Sequence, residues 1–368
     1  MDFSPLKKWM DETVAKGVPG CELIVCREHE VLFHECAGYS DREKQKKTCP
    51  SDRYFLYSCT KPVTVTAAMQ LIEKGDLELD APVARYLPGY ENLFRMEDGK
   101  KIPVSKPMTV RHLFTMTGGF NYDVERPALQ SLKAADPNAD TIAFARALAE
   151  GGLDFEPGEK FQYSLCHDVL AAVVEKVSGQ SLAEYMQAHI FAPLGMENTE
   201  FYVPGRTYEN LAAQYMFDGK NVQLHPAVNR LVITGRHYSG GAGLISTASD
   251  YARFADSMAC DEKLLKRGSI DRLRREELKE FRISGNFTCT CHEEYGYGLG
   301  VRTRIANETG AASCVGEFGW DGAAGADILI DPEHGVSFAY VQHVLGWPGL
   351  QGTVHLQIRD LLYPILGL

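Results

Sequence analysis

Hydrophobic residues recur along this chain with two spacings, and the spacing changes near residue 75 and again near residue 240. Ser4 reads as a helix cap with Pro5 at the first helical position, and Leu6, Trp9, Met10 and Val14 then share one face. Pro19-Gly20 breaks that pattern, and residues 21–26 and 31–36 are β-rich, with a turn at 27–30 making a hairpin. Residues 41–49 are polar and lysine-rich, a loop. Past Lys61, the residues Val65, Ala68, Met69, Leu71 and Ile72 recur at helical spacing until Gly75, so a helix of about four turns begins near Ser58.

From Gly75 to about Gly235 the pattern predicts helices punctuated by Pro and Gly. One opens at Thr109 and ends at Gly118-Gly119, and Asp140 caps a second over 141–150. A third covers 164–177, closed by Ser178-Gly179, and a fourth runs over 182–191 ahead of Pro193. Beyond Gly240-Gly241-Ala242-Gly243 come a strand at 244–246, a helix over 251–258 started by Ser249-Asp250, and a helix over 267–278. Residues 283–294 have weak periodicity and read as loop or edge strand. Strands are expected at 297–303, 326–330 and 336–344, the last two joined by the turn Asp331-Pro332-Glu333-His334-Gly335, and a closing helix at 353–362. Consecutive β segments with tight turns imply an antiparallel sheet, which the β-rich first 40 residues join most economically. The expected class is therefore α+β: an antiparallel sheet flanked by helices with an inserted helical lobe. Residues 1–75 and 236–368 would form the sheet lobe and 76–235 the helical lobe.

Composition narrows the partners. A chain of 368 residues, 45% hydrophobic, can bury a large core. Its net charge of −11, with basic clusters only at 44–47 and 272–275, argues against nucleic acid. The first residues lack the apolar core of a signal peptide and no stretch of about 18 apolar residues occurs, so export and membrane insertion are disfavoured and a cytoplasmic location is expected. Ten scattered cysteines fit reduced thiols. Cys289, Cys291 and His292 form the one cluster with ligand-like spacing, but no second cluster completes a zinc site, and neither a metal nor a cofactor is expected.

Candidate chemistry centres on Tyr57-Ser58-Cys59-Thr60-Lys61. Ser58 at a helix start faces free N–H groups and the positive end of the helix dipole, which favour negative charge on an attacking or attacked oxygen. Lys61, three residues on, shares its face, and a desolvated lysine can be neutral near pH 7 and take the serine proton. Ser-x-x-Lys alone is a weak signal, since Ser4-Pro5-Leu6-Lys7 also fits it. The Gly-x-Ser-x-Gly elbow of the α/β-hydrolases is absent, and none of the eleven histidines has neighbours that mark a triad base.

The order Ser58-x-x-Lys61, Tyr163-Ser164-Leu165, Trp320-Asp321-Gly322 resembles the serine β-lactamase and penicillin-binding protein superfamily, in its class C branch. It is most similar to the β-lactamase-like esterases of carboxylesterase family eight and the related D-amino-acid peptidases and acyltransferases. Residues 108–119, Pro157-Gly158-Glu159, Pro193-Leu194-Gly195-Met196 and residues 240–254 extend the likeness over almost the whole chain. The resemblance implies a β-lactamase/transpeptidase-like fold with its site in the groove between the lobes. Ser58 would be the nucleophile, Lys61 its base or relay, and Tyr163 a phenol or phenolate held by Lys61 and sharing proton transfer. The backbone N–H groups of Ser58 and Ala323 would form the oxyanion hole, and Gly322 would let the backbone approach the substrate.

Two departures shape the expected specificity. Trp320-Asp321-Gly322 stands where the β-lactamases have Lys-Thr-Gly, so the cation for a substrate carboxylate is missing. Leu165 replaces the asparagine of Tyr-x-Asn, removing an amide. Trp320 would offer an apolar wall, Asp321 would repel anions, bind an amine or simply make a turn, and Tyr238 is a candidate substrate contact. The expected activity is hydrolysis of small or medium esters through a Ser58 acyl-enzyme. An acyltransferase, a D-amino-acid amidase or peptidase, and a catalytically weak binding or assembly protein are the alternatives.

Overall fold

Alternation along the strand Gly20–Arg27 sends Cys21, Leu23 and Val25 to one face and Ile24 and Cys26 to the other, and both faces are covered. The computed structural model describes residues 1–97, 99–284, 293–308 and 310–368. Among them an eight-stranded antiparallel sheet runs Tyr295–Tyr297, Arg302–Arg304, Phe318–Asp321, Asp327–Asp331, Val336–Gln342, Gly20–Arg27, Glu30–Asp41, Lys46–Lys47. The N-terminal hairpin thus joins the C-terminal strands, with Ile24 opposite Ala339.

Helices Ser4–Ala15 and His355–Leu366 cover one face, where Leu6, Trp9, Ile358 and Leu362 pack on Leu23, Val25, Phe338 and Tyr340. Helix Ala248–Cys260 covers the other, placing Tyr251, Phe254, Ala255 and Met258 on Ile24, Ile328 and Ala339. That core continues into helices Thr60–Lys74, Cys166–Ser178 and Thr141–Glu150 without a break, so the sheet and the helical part share one apolar interior.

Caps stand where turn chemistry puts them. The Asp140 carboxylate accepts from the Ala143 N–H at 2.8 Å, and Gly75 and Gly179 end their helices at φ of 82° and 71°. The helix expected to start at Ser249-Asp250 is capped instead by Thr247, whose hydroxyl accepts from the Asp250 N–H.

Two regions differ from the sequence pattern. Residues 297–303 are not one strand but the two arms of a hairpin, Tyr295–Tyr297 and Arg302–Arg304. Gly300 lies at φ +84°, and a Cβ on Gly298 would sit 2.0 Å from the Leu273 carbonyl oxygen. Short strands also interrupt the stretch 76–235. Phe94–Glu97 pairs with Lys100–Pro103, and Gln214–Phe217 pairs with both Val222–His225 and Val344–Leu345. Such strands, four residues or fewer and partly exposed, leave too little alternation to be seen. Of the stretch 283–294, residues 285–292, with Cys289, Cys291 and His292, lie outside the described residues. No helix among the described residues is long and apolar enough to cross a membrane.

Candidate active site

Strand Leu244–Ser246 holds Tyr54–Phe55 on one side and Glu200–Phe201 on the other, and this small sheet delivers the chain into the turn that carries Ser58. Tyr57, the residue before it, has a left-handed backbone (φ +48°), unusual for a bulky side chain and costing about 1–3 kcal/mol. Its buried ring packs on Phe55 and its hydroxyl donates to Gln214 Oε1, so the surrounding packing enforces the conformation. One 3-10 turn, Tyr57–Cys59, then leads into helix Thr60–Lys74. Ser58 is half-buried on that turn, and Lys61 lies one turn deeper, fully buried.

The Lys61 Nζ is 3.2 Å from Ser58 Oγ, 3.1 Å from the Tyr122 hydroxyl and 2.7 Å from the Gly241 carbonyl oxygen. Burial pushes its pKa down to about 7, against the charge of Asp168, which favours the ammonium form. Asp168 is buried behind Gly241, and its Oδ1 accepts from Ser239 Oγ at 2.6 Å with His237 Nε2 3.2 Å away. Burial alone would raise that carboxyl, but His237, Ser239 and Lys61 outweigh it and hold the pKa below the ordinary carboxylate value. Gly241 is required at this point, because a Cβ there would lie 2.7 Å from Asp168 Oδ2 and 3.5 Å from Lys61 Nζ.

Tyr163 arrives from the segment ahead of helix Cys166–Ser178. Its hydroxyl interacts with Ser58 and accepts a hydrogen bond of 3.1 Å from Trp320 Nε1. The Lys61 amine sits 4.7 Å from the centre of its ring rather than bonding its oxygen; Tyr122 takes that place. Tyr122, Tyr163 and Trp320 stack in series at 5.4 and 5.6 Å, and the Ser58 hydroxyl meets both phenols. Burial raises both tyrosine pKa values far above the ordinary phenol, so both stay protonated near neutrality. Within this cluster, Lys61 is the group able to hold or release a proton at pH 7.

The other residues singled out by sequence are placed as follows. Trp320 is almost fully buried between Tyr163 and Tyr297, so it supports Tyr163 more than it presents a wall. Asp321 is buried with Oδ2 2.7 Å from Arg302 Nη1. Gly322 lies against the turn that carries Ser58, where a Cβ would meet the Leu56 carbonyl oxygen at 2.3 Å, and the exposed Ala323 follows it. Leu165 turns into the core. Tyr238 packs edge-on against Phe201 and lines a surface cleft with Asp140, Glu175, Lys176 and Arg236, apart from Ser58. Tyr122 and Asp168 carry no motif; Tyr122 sits in a loop anchored by the Asn121 side chain on Asp154 and the Asn121 carbonyl on Leu165 N–H.

A serine hydroxyl, a buried amine of lowered basicity and protonated phenols gathered in one cluster define a serine hydrolase of the β-lactamase fold. Residues 6–362 match the Beta-lactamase family, and the chain belongs to it. Esterase EstB from Burkholderia gladioli is 31% identical, covering 94% of this chain and 90% of its own. Among solved structures, EstCE1, described as a hydrolase with promiscuous acyltransferase activity, superposes with a TM-score of 0.82 at 25% identity over 98% of both chains. Simvastatin synthase LovD from Aspergillus terreus shares the fold, with a TM-score of 0.81 at 20% identity over 99% of both chains.

Proposed function

We propose that this chain is a carboxylesterase that works through an acyl-enzyme on Ser58, in the groove between the sheet and the helical part. The observation that carries the reading is the 3.2 Å contact between Ser58 Oγ and a fully buried Lys61 whose pKa stands at about 7. Neutral Lys61 accepts the Ser58 proton as the hydroxyl attacks the ester carbonyl. The oxyanion is held by the backbone N–H groups of Ser58 and Ala323. The proton passes through Tyr122 and Tyr163 to the leaving alcohol, and the same set then activates water to release the acid. Esters, the substrate class in the name of the EstB relative, fit a strand end, Trp320-Asp321-Gly322, that offers no side-chain cation for a substrate carboxylate. The described cysteines are all free thiols, which supports a reducing compartment such as a cytoplasm. Acyl transfer to an alcohol is the second reading, favoured by the acyltransferase activity in the EstCE1 description.

A fluorophosphonate probe should leave its adduct on the peptide containing Ser58. In a p-nitrophenyl ester series set against a chromogenic cephalosporin, the best ester should lead in kcat/KM by about a hundredfold. That is the discrimination expected from one missing charge-assisted contact of roughly 3 kcal/mol. No labelling, or a cephalosporin turned over as fast as the best ester, would remove the assignment.

The pH profile is a second test. Because Lys61 must be unprotonated to act, kcat/KM should rise with pH through a single ionisation near 7 and level off above it. Asp168→Asn should move that limb to lower pH, since the carboxylate favouring the ammonium form is gone. A limb that stays put in Asp168→Asn would mean that another group titrates.

A further inference from the structure

At the far edge of the sheet, three donor side chains of different chemistry converge where the sequence shows no motif. Glu22 on strand Gly20–Arg27 stands directly opposite Cys36 on strand Glu30–Asp41, and His34 precedes Cys36 by two residues on the same face. One ligand atom from each of Glu22, His34 and Cys36 lies within 4.8 Å of the others. We infer that this cross-strand trio is a binding site for one zinc-like divalent cation, with a fourth position left to solvent.

Four observations support it. Glu22 is completely buried, and while Oε1 pairs with His34 Nε2 at 2.7 Å, Oε2 has no hydrogen-bond partner among the described residues. A buried carboxylate oxygen without a partner is costly, and a cation relieves it directly. The Tyr54 hydroxyl, buried and likewise unpartnered, lies near enough to feel the Glu22 charge. Asp52, the neighbouring buried carboxylate, has both oxygens taken, by Lys46 Nζ and the Cys49 N–H, so the uncompensated oxygen here belongs to Glu22. A dication beside Glu22 carboxylate, Cys36 thiolate and neutral His34 makes the cluster electrically neutral and releases the thiol proton to water. Finally, His34 and Cys36 are partly exposed, giving the ion a way in.

The donor set selects the ion. One thiolate, one imidazole and one carboxylate suit zinc in tetrahedral geometry, whereas calcium and magnesium require oxygen shells. Two other trios of His, Asp and Cys have no spare capacity of this kind. Asp331 accepts from the Glu333 and His334 N–H groups, pairs with the His334 ring and takes the Tyr363 hydroxyl. Asp256 has both oxygens occupied by His29.

The full-length protein, stripped with a chelator and titrated with Co²⁺, gives the readout. One equivalent should bring up a thiolate-to-cobalt charge-transfer band with tetrahedral d–d absorption, and Zn²⁺ should displace it. Cys36→Ser should abolish the charge-transfer band. Glu22→Gln and His34→Ala should weaken binding at least as much as loss of a supporting partner does, about 10–100-fold. Cys260→Ser, Cys314→Ser and the double variant Cys289→Ser/Cys291→Ser should keep the band. Esterase activity in each variant checks that it is folded. Absence of any cobalt band in the native chain, or a band that survives Cys36→Ser and disappears with Cys289 and Cys291, would overturn the site.

Discussion

Lys61→Met should lower kcat/KM by about 10⁴-fold or more and at the same time make the protein more stable at neutral pH. The activity loss follows from removing the cluster's one group that changes protonation near pH 7, since both phenols stay protonated. Ser58→Ala should lose as much, and the double variant little more, because a nucleophile and its base act as a unit. The stability gain follows from the same burial. Folding takes Lys61 from an ordinary pKa of 10.5 to about 7. At pH 7 the unfolded chain therefore binds more protons than the folded one. Stability contributed at this site rises with pH from about 7 to about 10.5, and the deficit at pH 7 is roughly 4 kcal/mol. Met fills similar volume without the charge, so urea unfolding should show an increase of about 2–4 kcal/mol at pH 7 that shrinks toward pH 10. Equal activity loss with no stability gain would mean that Lys61 is charged and paired in the folded protein, and the base would have to be sought elsewhere.

Much of this arrangement is legible in the sequence where short-range chemistry decides it. The helix that carries Lys61 and follows the Ser58 turn is set by apolar spacing and by Gly75, and the pairing of the N-terminal hairpin with the last strands follows from turn residues and alternation. What distant segments supply is not legible. Tyr122 comes from a loop without periodicity and is placed by Asn121 and its own stacking on Tyr163. The turn at 27–30 is legible as a turn, but its positive φ at both Glu28 and His29 is not, since neither is the glycine or asparagine that advertises it and the Gly335 carbonyl, from a distant segment, accepts from the Glu28 N–H. Cys36 and Glu22 are fourteen residues apart in sequence yet face each other across two strands, so no linear spacing reveals them. The same holds for Trp320. Its motif position is legible, but that its N–H holds the Tyr163 oxygen depends on two distant segments meeting.

The sharpest case is Asp321, which sequence left between substrate contact and turn residue, and its environment makes a large effect predictable. Arg302 Nη1 bonds Asp321 Oδ2 at 2.7 Å, and its Nη2 bonds Asp327 Oδ1 at 3.2 Å, all three residues being buried. Arg359 bonds the other Asp327 oxygen at 2.7 Å and Glu317 at 3.2 Å. Asp327 has its pKa held low: burial opposes ionisation, but Arg359, His355 and Arg302 outweigh it. Two buried arginines thus face three buried carboxylates, and removing one cation strands charge in a medium of low polarity. Arg302→Met should therefore cost about 3–5 kcal/mol in guanidinium unfolding, the penalty for breaking a buried pair from one side. Returning the cluster to its original charge balance with Arg302→Met/Asp321→Asn should recover part of it, since the strand end then carries an amide in place of an unpaired charge. The functional counterpart separates the two readings of Asp321. As a strand-end ion-pair partner, its replacement by Asn should change kcat/KM for anionic, neutral and cationic esters by the same factor, through the strand that carries Trp320 and, beyond it, Ala323. A selective gain for anionic esters would place the carboxylate in the groove and return Asp321 to the substrate site.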